Sequence, residues 1–485
     1  MKPGNFARAI VEEIRRAGVT ECCVAAGARN AEMLIALAES DICTYRFVDE
    51  RSAGFFAIGR ILAAGKPVAV VTTSGTAVAE LLPAVVEAHY QGLPLGVISA
   101  DRPARFSGSG APQVIDQPGI FGDYVKAEGD VSCAASVADF STVIPQDAPW
   151  HLNVRFEEPG MEAGATGGHY GTRDGRSSHA VGDFGASGDL VALIGDLPQA
   201  KREETAEFVT ALGCPVWAEA ASGLRERCTT LRGGERALKD GGFTRVLRLG
   251  GVPSCRFWRD LEDRPEIAVI SVSRTGYSGL ARWSVVVSSI GELPELGEFR
   301  LSEPQTVFPK AQHPEAEFIH WLSTLPAEGS AIFLGNSLPI REWNAYASWK
   351  DRNLRPFANR GANGIDGLLS TFLGISASEP ESWAIVGDLS TLYDLGAPWV
   401  APQLDAAKRR IVVINNGGGQ IFNTLPALDD APAEVREMMI NPHANQFEAF
   451  AKMWGWGYLR VTEMNLPSAL PDNVVIEVVV SPEAI

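Results

Sequence analysis

No Cys-x-x-Cys pair occurs in the 485 residues, and the seven cysteines, an odd number, are scattered. That usage argues against a disulfide framework and for buried thiols in a reducing cytoplasm. No run of 18 uncharged apolar residues is present, so nothing is expected to span a membrane. Residues 1–19 have acids inside their apolar pattern and no hydrophobic core of the kind a signal peptide needs, and they read as a helix. Basic residues are in deficit, 42 against 59 acids for a net charge of -17, which argues against a nucleic-acid partner. A local arginine cluster in an acidic surface can still hold an anionic substrate. GxxxxGK[ST] is missing, and the first loop does not give GxGxxG, so an ordinary nucleotide-binding protein is disfavoured. The seven histidines form no metal-ligand pattern; His89 has no ligand spacing around it.

What is present reads as α/β. The chain is too long for one core and suits three domains, and 49 glycines and 30 prolines supply many tight turns. Helices over 6–17, 31–39 and 52–64 alternate with short strands in "ECCVAAGARN", "TYRFVDE", "PVAVVTT" and "PLGVISADRP". Continuous apolar strands between amphipathic helices predict mostly parallel sheets covered on both faces. Ligands in such sheets bind at the carboxyl ends of strands. A Gly/Ser-rich stretch over about 160–187 reads as a linker, which gives domains over 1–165, 186–317 and 322–485. The middle one carries few candidate catalytic groups.

Two strand ends in the third domain concentrate the chemistry. Trp383 to Val386 is a greasy run that ends in "GDLS", and 28 residues beyond Asp388 a second run ends in "NNGGGQIF". An aspartate, an asparagine amide oxygen and a backbone carbonyl make a hard oxygen site suited to Mg²⁺, which takes its other ligands from water and phosphate. Bare glycines let backbone N–H groups approach a diphosphate. On this chemistry alone a nucleotide and any other diphosphate fit equally well, and so do two ordinary turns.

The GDLS…NNGGGQIF pair resembles the thiamine-diphosphate-binding motif. The wider wording is similar to the 2-succinyl-5-enolpyruvyl-6-hydroxy-3-cyclohexene-1-carboxylate synthase family of the menaquinone pathway. The segments "FVDERSAGFFAIG", "VAVVTTSGTAVAELLPAVVEAHYQGLPLGVISADRP" and "QVIDQPGIFG" resemble its first domain, and "GNSLPIR", "NRGANGIDG" and "NPHANQFEAFAKMWG" its third. The middle domain matches poorly and looks shortened, as a spacer can be.

The resemblance implies a three-domain fold of a pyrimidine-binding, a central and a diphosphate-binding domain. It implies a transferase that decarboxylates 2-oxoglutarate on thiamine diphosphate and adds the resulting carbanion to isochorismate. Glu50 matches the glutamate that hydrogen-bonds the cofactor's aminopyrimidine. Asp388, Asn416 and the Gly418 carbonyl match the ligands of Mg²⁺, for which Mn²⁺ can substitute. Gly387, Leu389, Ser390 and Gln420 belong to the same cofactor motif, and Ile421 and Phe422 match the apolar wall beside the thiazolium. Both substrates carry carboxylates, which arginine forks match bidentately; Arg29, Arg102, Arg282, Arg341 and Arg360 match the family's arginines, and Gln113 a glutamine near the intermediate. The family's glutamate and diphosphate site come from different subunits, implying a cytoplasmic homodimer at minimum and leaving a tetramer open. His443 matches a family position and is expected to order a loop, while Trp454 and Trp456 read as packing.

The chain departs from the family at Ala28 and Asn30, where serines are usual, at Gly279 and Ala281, where Pro and Ser are usual, and at Gly417, often a third asparagine. A hydroxyl lost at 28 removes one hydrogen bond, worth ~0.5–1.5 kcal/mol. Another thiamine-diphosphate-dependent decarboxylase or carboligase is the nearest alternative, but the GNSLPIR and NRGANGIDG arginines favour dicarboxylate handling. A non-catalytic homologue is the other alternative, and intact Glu50, Asp388 and Asn416 weigh against it.

Overall fold

A computed structural model of the chain describes residues 5–157, 188–232, 234–299, 313–425, 428 and 431–481, together with the backbone of 169–172. Contacts divide it into two compact units, one of 1–175, 361–378 and 393–405 and the other of 176–360, 379–392 and 406–485.

The first unit holds a seven-stranded sheet of β1 (Glu21–Ala25), β2 (Cys43–Phe47), β3 (Val68–Thr72), β4 (Leu95–Asp101), β5 (Ala127–Val131), β6 (Trp150–Arg155) and β7 (His169–Thr172). Their order is β2-β1-β3-β4-β6-β5-β7. All neighbours are parallel except β7, which runs antiparallel to β5. β3 and β4 are buried at every position, which is why they read as continuous apolar runs without alternation. The stretch taken as a linker therefore contains an edge strand at 169–172; its remainder lies outside the described residues.

The helix expected from Ser52 begins two residues earlier, at Glu50, and ends at Ala64. Asp49 is its N-cap: the side chain accepts from Ser52 N at 3.2 Å and from Ser52 Oγ at 3.1 Å. Glu50 thus sits in a first helical turn, where the helix dipole favours an anion, and not on a strand end. The same helix crosses Leu368–Ser376 with almost no space between backbones. A Cβ on Gly59 would lie 2.1 Å from Thr371 O, and one on Gly374 would lie 2.2 Å from Phe56 O. Arg60 ties the crossing, bonding Glu21 at 2.7 and 2.8 Å, Gly374 O at 3.1 Å and Ser378 Oγ at 2.8 Å. Because the contact is backbone on backbone, Gly59→Val is expected to destabilise by about 3 kcal/mol or more, beyond ordinary overpacking. Chemical denaturation measures this, and a loss under 1 kcal/mol would show that the two helices are not held at that distance.

The second unit contains two all-parallel sheets. One comprises β8 (Leu190–Ile194), β9 (Val216–Ala218), β10 (Arg245–Leu249), β11 (Ala268–Val272) and β12 (Val285–Val287), in the order β12-β11-β10-β8-β9. The other comprises β13 (Ala331–Leu334), β14 (Arg355–Phe357), β15 (Glu381–Gly387), β16 (Lys408–Asn415), β17 (Gly457–Val461) and β18 (Asn473–Val479), in the order β14-β13-β15-β16-β18-β17. Each sheet carries its own apolar core, Leu247, Ile270 and Leu190 in one and Ile385, Val412 and Ile476 in the other. The three-sheet α/β architecture matches the expected fold class. Among the described residues, no helix is long and apolar enough to cross a membrane.

Candidate active site

Strand order decides which residues meet. In the first sheet β2, β1, β3 and β4 are adjacent and parallel, so their carboxyl ends present Glu50, Arg29, the Thr73–Gly75 turn and Arg102 along one edge. In the third, β14, β13, β15 and β16 are adjacent and parallel, and their ends are followed by Arg360, Arg341, Asp388 and Asn416 in that order. Neighbouring strands lie about 4.8 Å apart, so the segments that follow them emerge side by side.

Around Glu50 the environment is half-buried, and burial, followed by Asp49 and Glu80, holds its carboxyl above the usual range against the lowering effect of its own backbone N–H. Arg29 is also half-buried. Asn30, one of the departures from the family, turns its side chain away from the row: its Oδ1 accepts from Gly27 N at 2.9 Å and its Nδ2 donates to Ala25 O at 2.8 Å. It staples the loop. Arg102 is held through its backbone, whose N–H donates to Asp101 Oδ1 at 2.7 Å and whose carbonyl accepts from Arg155 Nη1 at 3.3 Å. Gln113 is exposed with φ 60°, a left-handed conformation that costs a non-glycine residue about 1 kcal/mol or more. Four residues on, the fully buried Gln117 accepts from Gly75 N at 3.0 Å and donates to Asn153 Oδ1 at 2.8 Å, pinning this loop to the β3 turn.

In the second unit Asp388 opens the helix Asp388–Tyr393 and is 2 % exposed. Its Oδ1 accepts from Leu389 N at 2.6 Å and its Oδ2 from Gly418 N at 2.9 Å, with His443 Nε2 3.3 Å away. Burial pushes its carboxyl up, and His443 and the backbone N–H groups only partly oppose that. His443 also donates its backbone N–H to Gly417 O at 3.1 Å, the loop-ordering part expected of it. Ser390 is buried, and Leu389 is half-buried. Gln420 Nε2 donates to Asn416 O at 3.0 Å, and Gln420 N to Gly418 O at 2.9 Å, which leaves that carbonyl a second lone pair. Gly417 and Gly418 have φ 78° and 135°, and a Cβ on Gly418 would lie 2.6 Å from Ile440 O, so only glycine fits there. A Cβ on Gly387 would meet nothing within 4 Å, so open space lies above the strand end. Ile421 and Phe422 are half-buried in the short 3₁₀ turn Gln420–Thr424.

Asn416 Nδ2 donates to Glu315 Oε2 at 2.9 Å, while Asn416 Oδ1 is buried with no hydrogen-bond partner. An orphaned amide oxygen beside a buried carboxylate of raised pKa is what a hard divalent cation would complete. The donor set fits Mg²⁺, and the open glycine strand end fits a diphosphate.

Arg341 and Arg360 form no ion pair among the described residues. Arg360 is buried, donates Nη1 to Asn336 Oδ1 at 3.1 Å and leaves Nε unpartnered. Arg341 Nη1 donates to Ser337 O at 2.6 Å, and its pKa is lowered by burial and then by Arg360 and Arg259. Ser337, with φ 74°, and Asn363, with φ 62°, add left-handed positions inside the two arginine motifs. Glu87, 3 % exposed, accepts from Gly361 N and Ala362 N at 2.7 Å each, fixing the second motif's glycine turn. Arg282 is not brought to this row. It donates to Leu261 O at 2.6 Å and to Ile267 O at 2.8 Å, and Ile267 precedes β11, at the amino edge of the central sheet. Sequence reading also missed Glu315 and Glu342. Both are buried, and burial above all raises both carboxyls, with Glu315 adding to the rise at Glu342.

Residues 4–120 match the family model described as the N-terminal TPP-binding domain of thiamine pyrophosphate enzymes. An X-ray structure of a candidate thiamin diphosphate-dependent enzyme from Mycobacterium smegmatis superposes with a TM-score of 0.71 over 99 % of each chain at 17 % identity, a likeness of fold. The fold is that of a thiamine-diphosphate-dependent enzyme. A 2-succinyl-5-enolpyruvyl-6-hydroxy-3-cyclohexene-1-carboxylate synthase of Akkermansia muciniphila is 41 % identical across 95 % of this chain and 92 % of its own. The one from Bdellovibrio bacteriovorus is 39 % identical across 98 % and 95 %. The chain belongs to the 2-succinyl-5-enolpyruvyl-6-hydroxy-3-cyclohexene-1-carboxylate synthase family.

Proposed function

We propose that this chain makes the product its relatives are named for, decarboxylating 2-oxoglutarate and transferring the succinyl unit to isochorismate, a step of menaquinone biosynthesis. The observation that carries this reading is the row Arg360, Arg341, Asp388, Asn416 in the segments that follow four adjacent parallel strands, Arg341 in the helix after β13. It sets two arginines, fit for a substrate carboxylate, beside a metal–diphosphate site.

Bound thiamine diphosphate would supply the electron sink that takes up the pair released as CO₂ departs. The chain's own groups do the rest. Asp388, Asn416 and the Gly418 carbonyl would hold Mg²⁺, or Mn²⁺ in its place; Gly387, Leu389, Ser390 and Gln420 would shape the diphosphate cradle. Ile421 and Phe422 exclude water. Glu50, whose carboxyl is held above the ordinary range by burial, would hydrogen-bond the aminopyrimidine and exchange a proton with it. Arg29, Arg102, Arg341 and Arg360 bind substrate carboxylates, and Gln113 lies near the reacting carbon. The domains are assigned as 1–165 for the pyrimidine, 186–317 as a spacer and 322–485 for the diphosphate.

The working unit is a cytoplasmic homodimer in which Glu50 of one subunit serves the diphosphate site of the other. An apolar set on the first unit supports the pairing: Val48, Tyr393, Leu395 and Trp399 are 69, 52, 41 and 46 % exposed. Exposure of four such side chains is what an interface looks like before its partner arrives.

The arginine assignment is tested with two oxoacids. Wild-type protein should turn over 2-oxoglutarate and leave pyruvate almost untouched. In Arg341→Gln and Arg360→Gln the KM for 2-oxoglutarate should rise about 10- to 100-fold, the loss of one charged hydrogen bond worth ~1.5–3 kcal/mol, with pyruvate unaffected. Equal use of pyruvate by the wild type would contradict the reading.

A further inference from the structure

Glu315 is fully buried, 0 % exposed, and among the described residues no arginine forms an ion pair with it. It lies 101 residues from Asn416 in sequence, at the start of the helix Pro314–Leu322, and takes the Asn416 Nδ2 hydrogen at 2.9 Å. An asparagine amide can present either end to a ligand, because its oxygen and nitrogen are related by a simple rotation. Here the rotation is decided. A carboxylate at Oε2 accepts only from the NH₂ end, so the oxygen end is turned away from Glu315, and Oδ1 is buried without a partner among the described residues.

We propose that Glu315 is a positioning residue that locks the Asn416 amide with its oxygen turned to the metal, with Glu342 backing Glu315 from behind. This inference rests on the reading of Asp388, Asn416 and Gly418 as the metal site. The backing is of one piece with the substrate end of the site, since Glu342 follows Arg341 on the helix Leu338–Tyr346. His313 Nε2 lies 3.6 Å from Glu342 Oε1 and closes the cluster from the other side. Buried carboxylates that orient a metal ligand through its second group are the kind of support whose removal costs 10- to 100-fold in metal affinity.

The probe is Mn²⁺ in the presence of thiamine diphosphate, with free Mn²⁺ followed by its paramagnetic resonance signal. Glu315→Leu keeps the volume and removes the acceptor, and its Mn²⁺ Kd should rise about tenfold or more. Glu315→Gln can offer its carbonyl to Asn416 and its NH₂ to Glu342, and should stay within about threefold of wild type. A swap gives a readout that packing alone does not move. Asn416→Asp sets carboxylate against carboxylate and should bind Mn²⁺ weakly, and adding Glu315→Gln restores a donor–acceptor match and should recover at least tenfold. The swap also decides the matter if Glu315→Leu fails to fold. Unchanged Mn²⁺ affinity in a folded Glu315→Leu, or no recovery in the swap, overturns the inference. Wild-type protein that binds no Mn²⁺ with thiamine diphosphate contradicts the metal site itself, which is a different failure.

Discussion

Glu50→Gln is expected to lower turnover by about 10²–10⁴-fold, the usual contribution of a positioned acid–base group, while thiamine diphosphate and Mg²⁺ still bind. Glutamine has the same shape and can keep a hydrogen bond, but it cannot pass a proton back and forth. The structure gives two reasons to expect a functional and not a structural loss. Glu50 lies in a first helical turn already capped by Asp49, so the helix does not depend on it. Its carboxyl is held above the ordinary range by burial and by the neighbouring Asp49 and Glu80. The sign follows directly: Glu50 takes up its proton at a higher pH than an ordinary glutamate as pH falls. The acid limb of kcat/KM should therefore lie above the ordinary carboxylate range in wild type and be absent from Glu50→Gln. Steady-state rates across pH, with cofactor binding followed by tryptophan fluorescence, check both parts. A loss of less than tenfold would remove Glu50 from the chemistry.

The second large effect is at Asp388. Asp388→Asn should abolish measurable turnover, a fall on the order of 10³-fold or more, because a metal supplies several kcal/mol of charge stabilisation. The same change should not weaken the metal-free protein. Asp388 is 2 % exposed, its pKa is raised by burial, and His443 Nε2 lies 3.3 Å from its Oδ2. Replacing a buried charge by a neutral amide relieves desolvation, which offsets the loss of one acceptor: the new oxygen accepts from one of Leu389 N and Gly418 N, and the NH₂ faces the other. Metal-free Asp388→Asn should melt at or above the wild-type temperature, whereas added Mg²⁺ and thiamine diphosphate should stabilise wild type alone. That is the usual trade between a functional site and stability. A variant that unfolds without metal, or that keeps its rate, would show that Asp388 is a structural acid.

Much of this was legible in the sequence because it lies in local patterns. β3, β4, β15 and β16 are buried at nearly every position, so they stand out as apolar runs, and their ends carry the polar residues that mark a parallel sheet's binding edge. What was missed depends on contacts between distant segments or on very short elements. Glu315 reads as an ordinary helix-start acid until the fold sets it against Asn416. β12, three residues long, and β17, whose pattern is mostly half-buried, give too little periodicity to find. The two-residue error at Glu50 came from reading Asp49 as a strand end when its side chain caps the helix. Arg282 shows the limit of motif position: a matched arginine there spends its donors on the carbonyls of Leu261 and Ile267. Ala28 remains the one first-loop departure that the structure leaves without a compensating group, because Asn30 faces the other way.

The most direct test of the central claim incubates the purified chain with 2-oxoglutarate, thiamine diphosphate and Mg²⁺, with and without isochorismate, and weighs the products by mass spectrometry. Rapid consumption of 2-oxoglutarate is expected, with an adduct heavier than isochorismate by the mass of 2-oxoglutarate less CO₂ only when both substrates are present. Consumption that is indifferent to isochorismate and leaves no adduct would contradict the synthase reading.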